Sequence, residues 1–111
     1  MIYIAGPITA KTEEGKKINL LRGQIAASIL ASKGIEFFCP HTHSFELGYL
    51  NKNEFWYKMD MKFLSVCDKV LFLDGWKDSA GCMKEYDYAI NNGKKMFFSI
   101  KELLDHETKL E

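Results

Sequence analysis

Short, β-rich apolar runs alternate along this chain with longer segments whose apolar residues recur at helical spacing. Ile2-Tyr3-Ile4-Ala5 is almost wholly apolar, the pattern of a parallel strand buried on both faces. From about Glu14 to Lys33, Ile18, Leu21, Ile25 and Ile29 recur every three or four residues, which predicts a helix stopped at Gly34. Ile35 to Phe38 reads as a second strand ended by Pro40, and residues 39–52 as a loop. Asn53 can cap a helix to about Val66, with Phe55, Met59, Phe63 and Val66 as its apolar stripe. A third strand follows from Lys69 to Leu73. A helix from about Ala80 to Asn92 is expected to face Met83, Tyr86 and Ile90 inward, with Gly93 ending it. Lys95 to Ser99 reads as a fourth strand, and a short polar helix follows from about Lys101.

This alternation implies helical crossovers between parallel strands and a sheet covered on both faces. The expected fold is therefore α/β: a three-layer, Rossmann-like or flavodoxin-like parallel sheet of four or five strands, order 2-1-3-4, in one domain over residues 1–111. Such sheets bind ligands at the carboxyl ends of their strands. The polar features gather at those ends: Gly6-Pro7-Ile8-Thr9 after the first strand, His41 after the second, and Gly75 to Gly81 after the third.

Composition narrows the class of partner. Fifteen basic residues balance fifteen acidic ones, so no net field draws the chain to a nucleic-acid polymer or an anionic membrane. No apolar run approaches the ~20 residues of a membrane span. The N-terminal Met-Ile-Tyr-Ile lacks the basic-then-apolar pattern of a signal peptide. Three scattered cysteines without paired spacing read as reduced thiols, so a cytoplasmic setting is expected. His41-Thr-His43 has no second ligand cluster, and neither GxGxxG nor GxxxxGK[ST] is present. Neither a metal nor an organic cofactor is expected.

The candidate chemistry centres on Ser79-Ala-Gly-Cys-Met-Lys-Glu85, between a strand and a helix. Ser79 suits the N-cap, Gly81 leaves the helix N-terminus open, and that terminus favours anions. Glu85 shares a helix flank with Cys82 and Ala89. Asp60 lies between Met59 and the apolar Met61 and Phe63, surroundings that demand a partner or raise a carboxylate's pKa. Together the two carboxylates are the equipment of retaining glycosyl transfer. Tyr3 shares a strand face with Ala5, from which its hydroxyl can reach a ligand or a carboxylate. His41, Trp56 and Trp76 are candidates for stacking on a flat ring. Solvated carboxylates and packed aromatics are the structural alternatives for each.

Tyr3-Ile-Ala-Gly6-Pro7-Ile8, Asp60 in a helix before the third strand, and Gly75-Trp76-x-x-Ser79-x-Gly81-x-x-x-Glu85 resemble the nucleoside 2-deoxyribosyltransferase superfamily. The chain is more closely similar to a small uncharacterised branch of it, a domain of unknown function, over residues 2 to about 99. The resemblance implies Glu85 as the nucleophile at the anomeric carbon, Asp60 as the residue assisting base departure and Tyr3 as the group orienting Glu85. It implies substrate contacts at Gly6, Pro7, Ile8, His41, Trp56, Ser79 and Gly81. Serine at position 79 resembles the N-hydrolases of nucleoside 5′-monophosphates, whereas the transferases commonly carry an aspartate there. His41 with Phe45-Glu46-Leu47-Gly48 resembles the hydrolases' base-pocket segment. The implied partners are a small-molecule nucleotide and a second copy of the chain, as a homodimer or higher homo-oligomer. Thr9-Ala10 stands where those hydrolases place an arginine, and the chain ends soon after its fourth strand. Those departures keep open a non-catalytic module that binds a nucleotide or nucleotide-derived signal. Base exchange between nucleosides is the third reading.

Overall fold

The computed structural model describes residues 1–43 and 47–109. Four parallel strands, β1 (Ile2–Ala5), β2 (Phe37–Phe38), β3 (Lys69–Phe72) and β4 (Lys95–Phe97), form one sheet of order β2-β1-β3-β4. The chain leaves β1 toward one edge of the sheet and leaves β3 toward the other. The topological switch therefore lies between β1 and β3, which pair along their whole length from Ile2–Lys69 to Ala5–Phe72. Every residue of β1 is buried, as a central strand covered on both faces requires.

Alternation along the strands sorts the core into two layers. Ile2, Ile4, Leu71 and Leu73 pack with Ala26, Ala27 and Leu30 of α1 (Glu13–Ser32) and with Leu103 of α5 (Ile100–Lys109). Tyr3, Ala5, Val70 and Phe72 pack with Leu64 of α3 (Asn53–Val66) and Ala89 of α4 (Ala80–Asn91). The expected three-layer arrangement and strand order are present, with four strands in the sheet. Among the described residues no helix is long and apolar enough to cross a membrane.

The helices form where their spacing predicts them, and Phe63 of α3 and Tyr86 of α4 pack on the core as expected, but much of each expected stripe does not face inward. In α1 the buried residues are Asn19, Gly23, Ala26, Ala27 and Leu30, while Ile18, Leu21 and Ile25 are exposed. In α4 Cys82 and Ala89 are buried, and Met83 and Ile90 are exposed. In α3 Leu64 is buried, while Phe55 and Val66 point outward. The physical reason is close approach. A helix lying tight on a sheet presents small side chains to it, and the large aliphatics are displaced to the far side of the helix. Residues 39–52 are also more ordered than a loop. A one-turn helix α2 (Pro40–His43) follows β2, and Gly48–Leu50 forms a 3-10 turn. Asn53 is the first residue of α3 rather than its cap. Lys52 takes the cap position without a side-chain bond, and its own N–H is held by Asn51 Oδ1 at 2.8 Å.

His41 is the tightest joint of the α1 layer. Its ring is buried, and a Cβ placed on Gly23 would stand 2.3 Å from His41 Cγ, so α1 can pass only where it carries no side chain. Its Nε2–H donates to the Pro7 carbonyl at 3.0 Å. In that tautomer Nδ1 accepts from the Cys39 thiol at 3.7 Å. Burial pushes its pKa below the usual histidine value, against the opposing pull of the Pro7 carbonyl, so the ring is neutral at pH 7.

Gly23→Ala is therefore expected to destabilise the fold by about 2 kcal/mol, the crowding cost exceeding the gain in helix propensity. Combined with His41→Ala it should recover part of that loss, with a coupling energy on the order of 1 kcal/mol in a double-mutant cycle by urea unfolding. A Gly23→Ala protein as stable as the parent would contradict the packing described.

Candidate functional site

A cavity of about 530 Å³ opens at the carboxyl ends of β1 and β3, on the α3/α4 side of the sheet. Most of its wall comes from three segments, with Pro40 and Gly48 completing it. The turn after β1 supplies Gly6, Ile8 and Thr9, α3 supplies Asn53, Trp56, Tyr57 and Asp60, and the start of α4 supplies Ser79, Gly81, Cys82 and Glu85. Asn19 of α1 steadies the first wall, its amide donating to the carbonyls of Ile8 at 3.4 Å and Thr9 at 3.2 Å.

Tyr3, Asp60 and Glu85 meet at the floor. Tyr3 is completely buried, and among the described residues its hydroxyl has no geometrically sound hydrogen bond; the same holds for Oδ1 of Asp60. An acceptor of this kind is costly to leave unmatched, so Asp60 Oδ1 marks where a ligand or water belongs, while the Tyr3 hydroxyl faces the Glu85 carboxyl. Burial pushes Asp60 up to about 6. Burial also pushes Glu85 up to about 7; the Tyr3 hydroxyl opposes that rise and the Asp60 charge adds to it. The phenol of Tyr3 is driven far above its ordinary value, by burial first and then by the Glu85 and Asp60 charges, and stays protonated. Cys82, one turn before Glu85, is pushed up to about 12 by burial, with Ser79 working against the shift and Glu85 with it. It is a thiol, not a thiolate nucleophile.

The opening of α4 has the expected build. Ser79 Oγ accepts from the Cys82 N–H at 3.2 Å, the bond of an N-cap side chain. A Cβ on Gly81 would meet only Ser79 Oγ, at 3.9 Å, so the first turn stays open to a ligand. The turn before it is set by Gly75, whose φ of 86° favours glycine.

Of the residues expected at the site, Tyr3, Gly6, Ile8, Trp56, Asp60, Ser79, Gly81 and Glu85 line the cavity. Trp56 is pinned by its indole N–H to the Gly48 carbonyl at 3.0 Å, which presents the ring as a fixed surface. Pro7 and His41 do not line it. His41 stands behind the wall and holds the Pro7 carbonyl, so it shapes the pocket without facing it. Trp76 is likewise absent from the cavity, packed with Phe72, Tyr86 and Phe98. Phe45 and Glu46 lie outside the described residues.

Sequence reading missed Tyr57, Lys58, Asn53 and Lys84, all on the cavity wall. The signal was present: stepping back from Asp60 by three, four and seven residues reaches Tyr57, Trp56 and Asn53, one face of α3. Lys84 Nζ lies 5.1 Å from the centre of the Tyr57 ring, a cation–π contact at the rim. Lys58, Lys84 and the α4 N-terminus supply positive potential around a floor of two carboxyls. No group of three or more His, Cys, Asp or Glu among the described residues could hold a metal ion.

Fold and site together define a doubly wound parallel α/β domain with a buried carboxyl pair in a cleft at its topological switch point. Residues 1–98 match the family described as "Domain of unknown function (DUF4406)", and the chain belongs to that family. No curated protein matches the chain.

The raised pKa values carry a stability consequence with a definite sign. Folded Glu85 holds its proton up to about 7, above the 4.5 of an unperturbed glutamate, so its ionisation opposes folding. The cost is absent below pH 4.5, grows as pH rises to 7 and is full above that. Glu85→Gln should thus stabilise the protein at pH 8 by roughly 1–3 kcal/mol, an advantage that disappears toward pH 4.5. Thermal unfolding followed across that range checks it. Equal melting temperatures at pH 8 would show that the carboxylate carries no such strain.

Proposed function

We propose that this protein is an N-glycosidase that removes the base from a (deoxy)nucleoside 5′-monophosphate. The observation that carries the reading is the convergence of Glu85, Asp60 and Tyr3 on one cavity, with the two carboxyls titrating near neutrality. Retaining glycosyl transfer needs one carboxylate ionised and its neighbour protonated at the same moment. A coupled pair with apparent values of about 6 and about 7 shares a single proton between those limits.

In the proposed reaction the Glu85 carboxylate attacks C1′ from the face opposite the base. The C1′–N bond breaks with its electron pair leaving on the base nitrogen, which takes the proton held by Asp60. The Tyr3 hydroxyl points Glu85 at the anomeric carbon. Water, deprotonated by the Asp60 carboxylate, then cleaves the glycosyl ester and frees the sugar phosphate. The 5′-phosphate is assigned to the start of α4, where the Ser79 hydroxyl and the first-turn N–H groups can donate. Lys84 and Lys58 supply charge at the rim. The base is assigned to the Trp56 side, where a fixed ring can stack on it. The resemblance to the nucleoside 2-deoxyribosyltransferase superfamily supports the same three roles, and Ser79 supports a phosphorylated substrate over a free nucleoside.

Incubation with a panel of nucleoside monophosphates should release free base detectable by chromatography, and Glu85→Ala should reduce kcat by about a thousandfold or more. The profile of kcat/KM should be bell-shaped with limbs near pH 6 and pH 7, because the working form, Glu85 ionised and Asp60 protonated, exists only while the pair holds one proton. Glu85 holds a proton more tightly than Asp60, so that form is the less populated of the two one-proton states. No base from any nucleotide would defeat the proposal. Thermal stabilisation by nucleotides without product would select the binding module instead, and activity confined to unphosphorylated nucleosides would select base exchange.

A further inference from the structure

The α3 wall of the cavity carries more than a stacking ring. Asn53 and Glu54, which open the helix, also line the cavity, and among the described residues neither side chain has a hydrogen bond or an ion pair. Asn53 stands on the centre line of the face it shares with Trp56, Tyr57 and Asp60. Glu54 stands on the flank of that face, and Lys58 lies farther round the same flank. The helix runs from mouth to floor: Asn53 and Glu54 are exposed, Trp56 is half-buried, and Oδ1 of Asp60 is buried. The helical rise separates Asn53 from Asp60 by about 10 Å along the axis. A hydrogen bond of about 3 Å at each end leaves roughly 4–5 Å between them, room for one flat ring system held at both edges.

A base stacked on Trp56 with its leaving nitrogen at Asp60 therefore presents its far edge to Asn53 and Glu54. The centre line puts Asn53 against the ring nitrogen of that edge, and the flank puts Glu54 against the substituent projecting from the ring's side. The two side chains are not interchangeable. A carboxylate only accepts, whereas an amide both donates and accepts and can turn over to meet either kind of ring nitrogen. The choice of substituent thus falls to Glu54. An amine donates to it, while an oxo group would face its oxygens lone pair to lone pair. We propose that the site takes a base bearing an exocyclic amine beside an unprotonated ring nitrogen, as adenine and cytosine do. Glu54 accepts from the amine, and Asn53 donates to the ring nitrogen. The assignment rests on the nucleotide N-glycosidase reading of the same cavity and narrows its substrate class.

Matched nucleoside monophosphates that differ only by deamination, adenine against hypoxanthine and cytosine against uracil, test it. In at least one pair the amino member should show a kcat/KM higher by about tenfold or more, the worth of one hydrogen bond to a charged acceptor. Glu54→Gln, whose amide can donate to an oxo group, should bring the members of that pair within about threefold of each other. Titration of the same pairs into Glu85→Gln protein by calorimetry reads recognition without turnover. Tighter binding of the amino member, with no base released by the parent from any nucleotide, would defeat the N-glycosidase and leave the base assignment standing. Base released equally from both members of each pair, or faster from the oxo member, would overturn the assignment and leave the chemistry standing. A preference that Glu54→Gln leaves unchanged also overturns it, by placing the choice elsewhere in the cavity. Binding of none of the four would defeat both.

Discussion

The close seating of α1 on the sheet is the constraint from which most of the molecule follows. Gly23, Ala26 and Ala27 bring the helix down onto Ile2, Ile4 and Leu71, and the His41 ring occupies the place a side chain at position 23 would need. A neutral, buried imidazole is well suited to that position. It fills volume as a flat hydrophobe, and its single N–H gives a directional bond to the Pro7 carbonyl. Asn19, one turn earlier on the same inward face, holds the next two carbonyls. The turn after β1 is thereby fastened at Pro7, Ile8 and Thr9, and this is the turn that walls the cavity. A helix–sheet packing decision becomes a pocket wall.

The cavity floor runs against the economy of the rest of the core. Elsewhere, partly buried polar groups are matched, as with Lys69 and Glu107 at 2.7 Å or Lys94 on the Cys67 carbonyl at 2.6 Å. At Oδ1 of Asp60 they are not, and the Asp60 charge adds to the burial that raises the proton affinity of Glu85. Local strain of this kind persists only where surrounding structure over-determines it. Here the surroundings do so. Tyr3 sits in the fully buried central strand, and Glu85 and Asp60 project from helices anchored by Ala89 and Leu64. Unmatched polarity on rigid supports is the signature of a preorganised site rather than of a loose one.

How much of this could be read in the sequence depended on which physical signal was in play. Element identity and strand order were legible, because strand–helix alternation leaves few topologies. The cavity floor was legible through local rules: alternation for Tyr3, helical spacing for Glu85, and capping chemistry for Ser79. Helix orientation was not. Periodicity identified α1 correctly from Ile18, Leu21, Ile25 and Ile29, yet the buried face is the one carrying glycine and alanine. Hydrophobicity weights a large aliphatic above a small residue, whereas tight packing inverts that order. The role of His41 was hidden for a related reason. Its partners, Gly23 and Pro7, are distant in sequence and contribute an absent side chain and a carbonyl, neither of which leaves a pattern.

The inverted helix faces carry a meaning beyond a misread stripe. A chain with no pressure on its outer surface has no reason to place Ile18, Leu21 and Ile25 there at regular helical intervals, since scattered apolar residues would serve as well. The sequence thus encodes two apolar faces on α1. The small-residue face sets the distance between helix and sheet, and so the shape of the cavity. The large-residue face stays exposed on the far side of the helix, where it sets neither the packing distance nor the cavity wall.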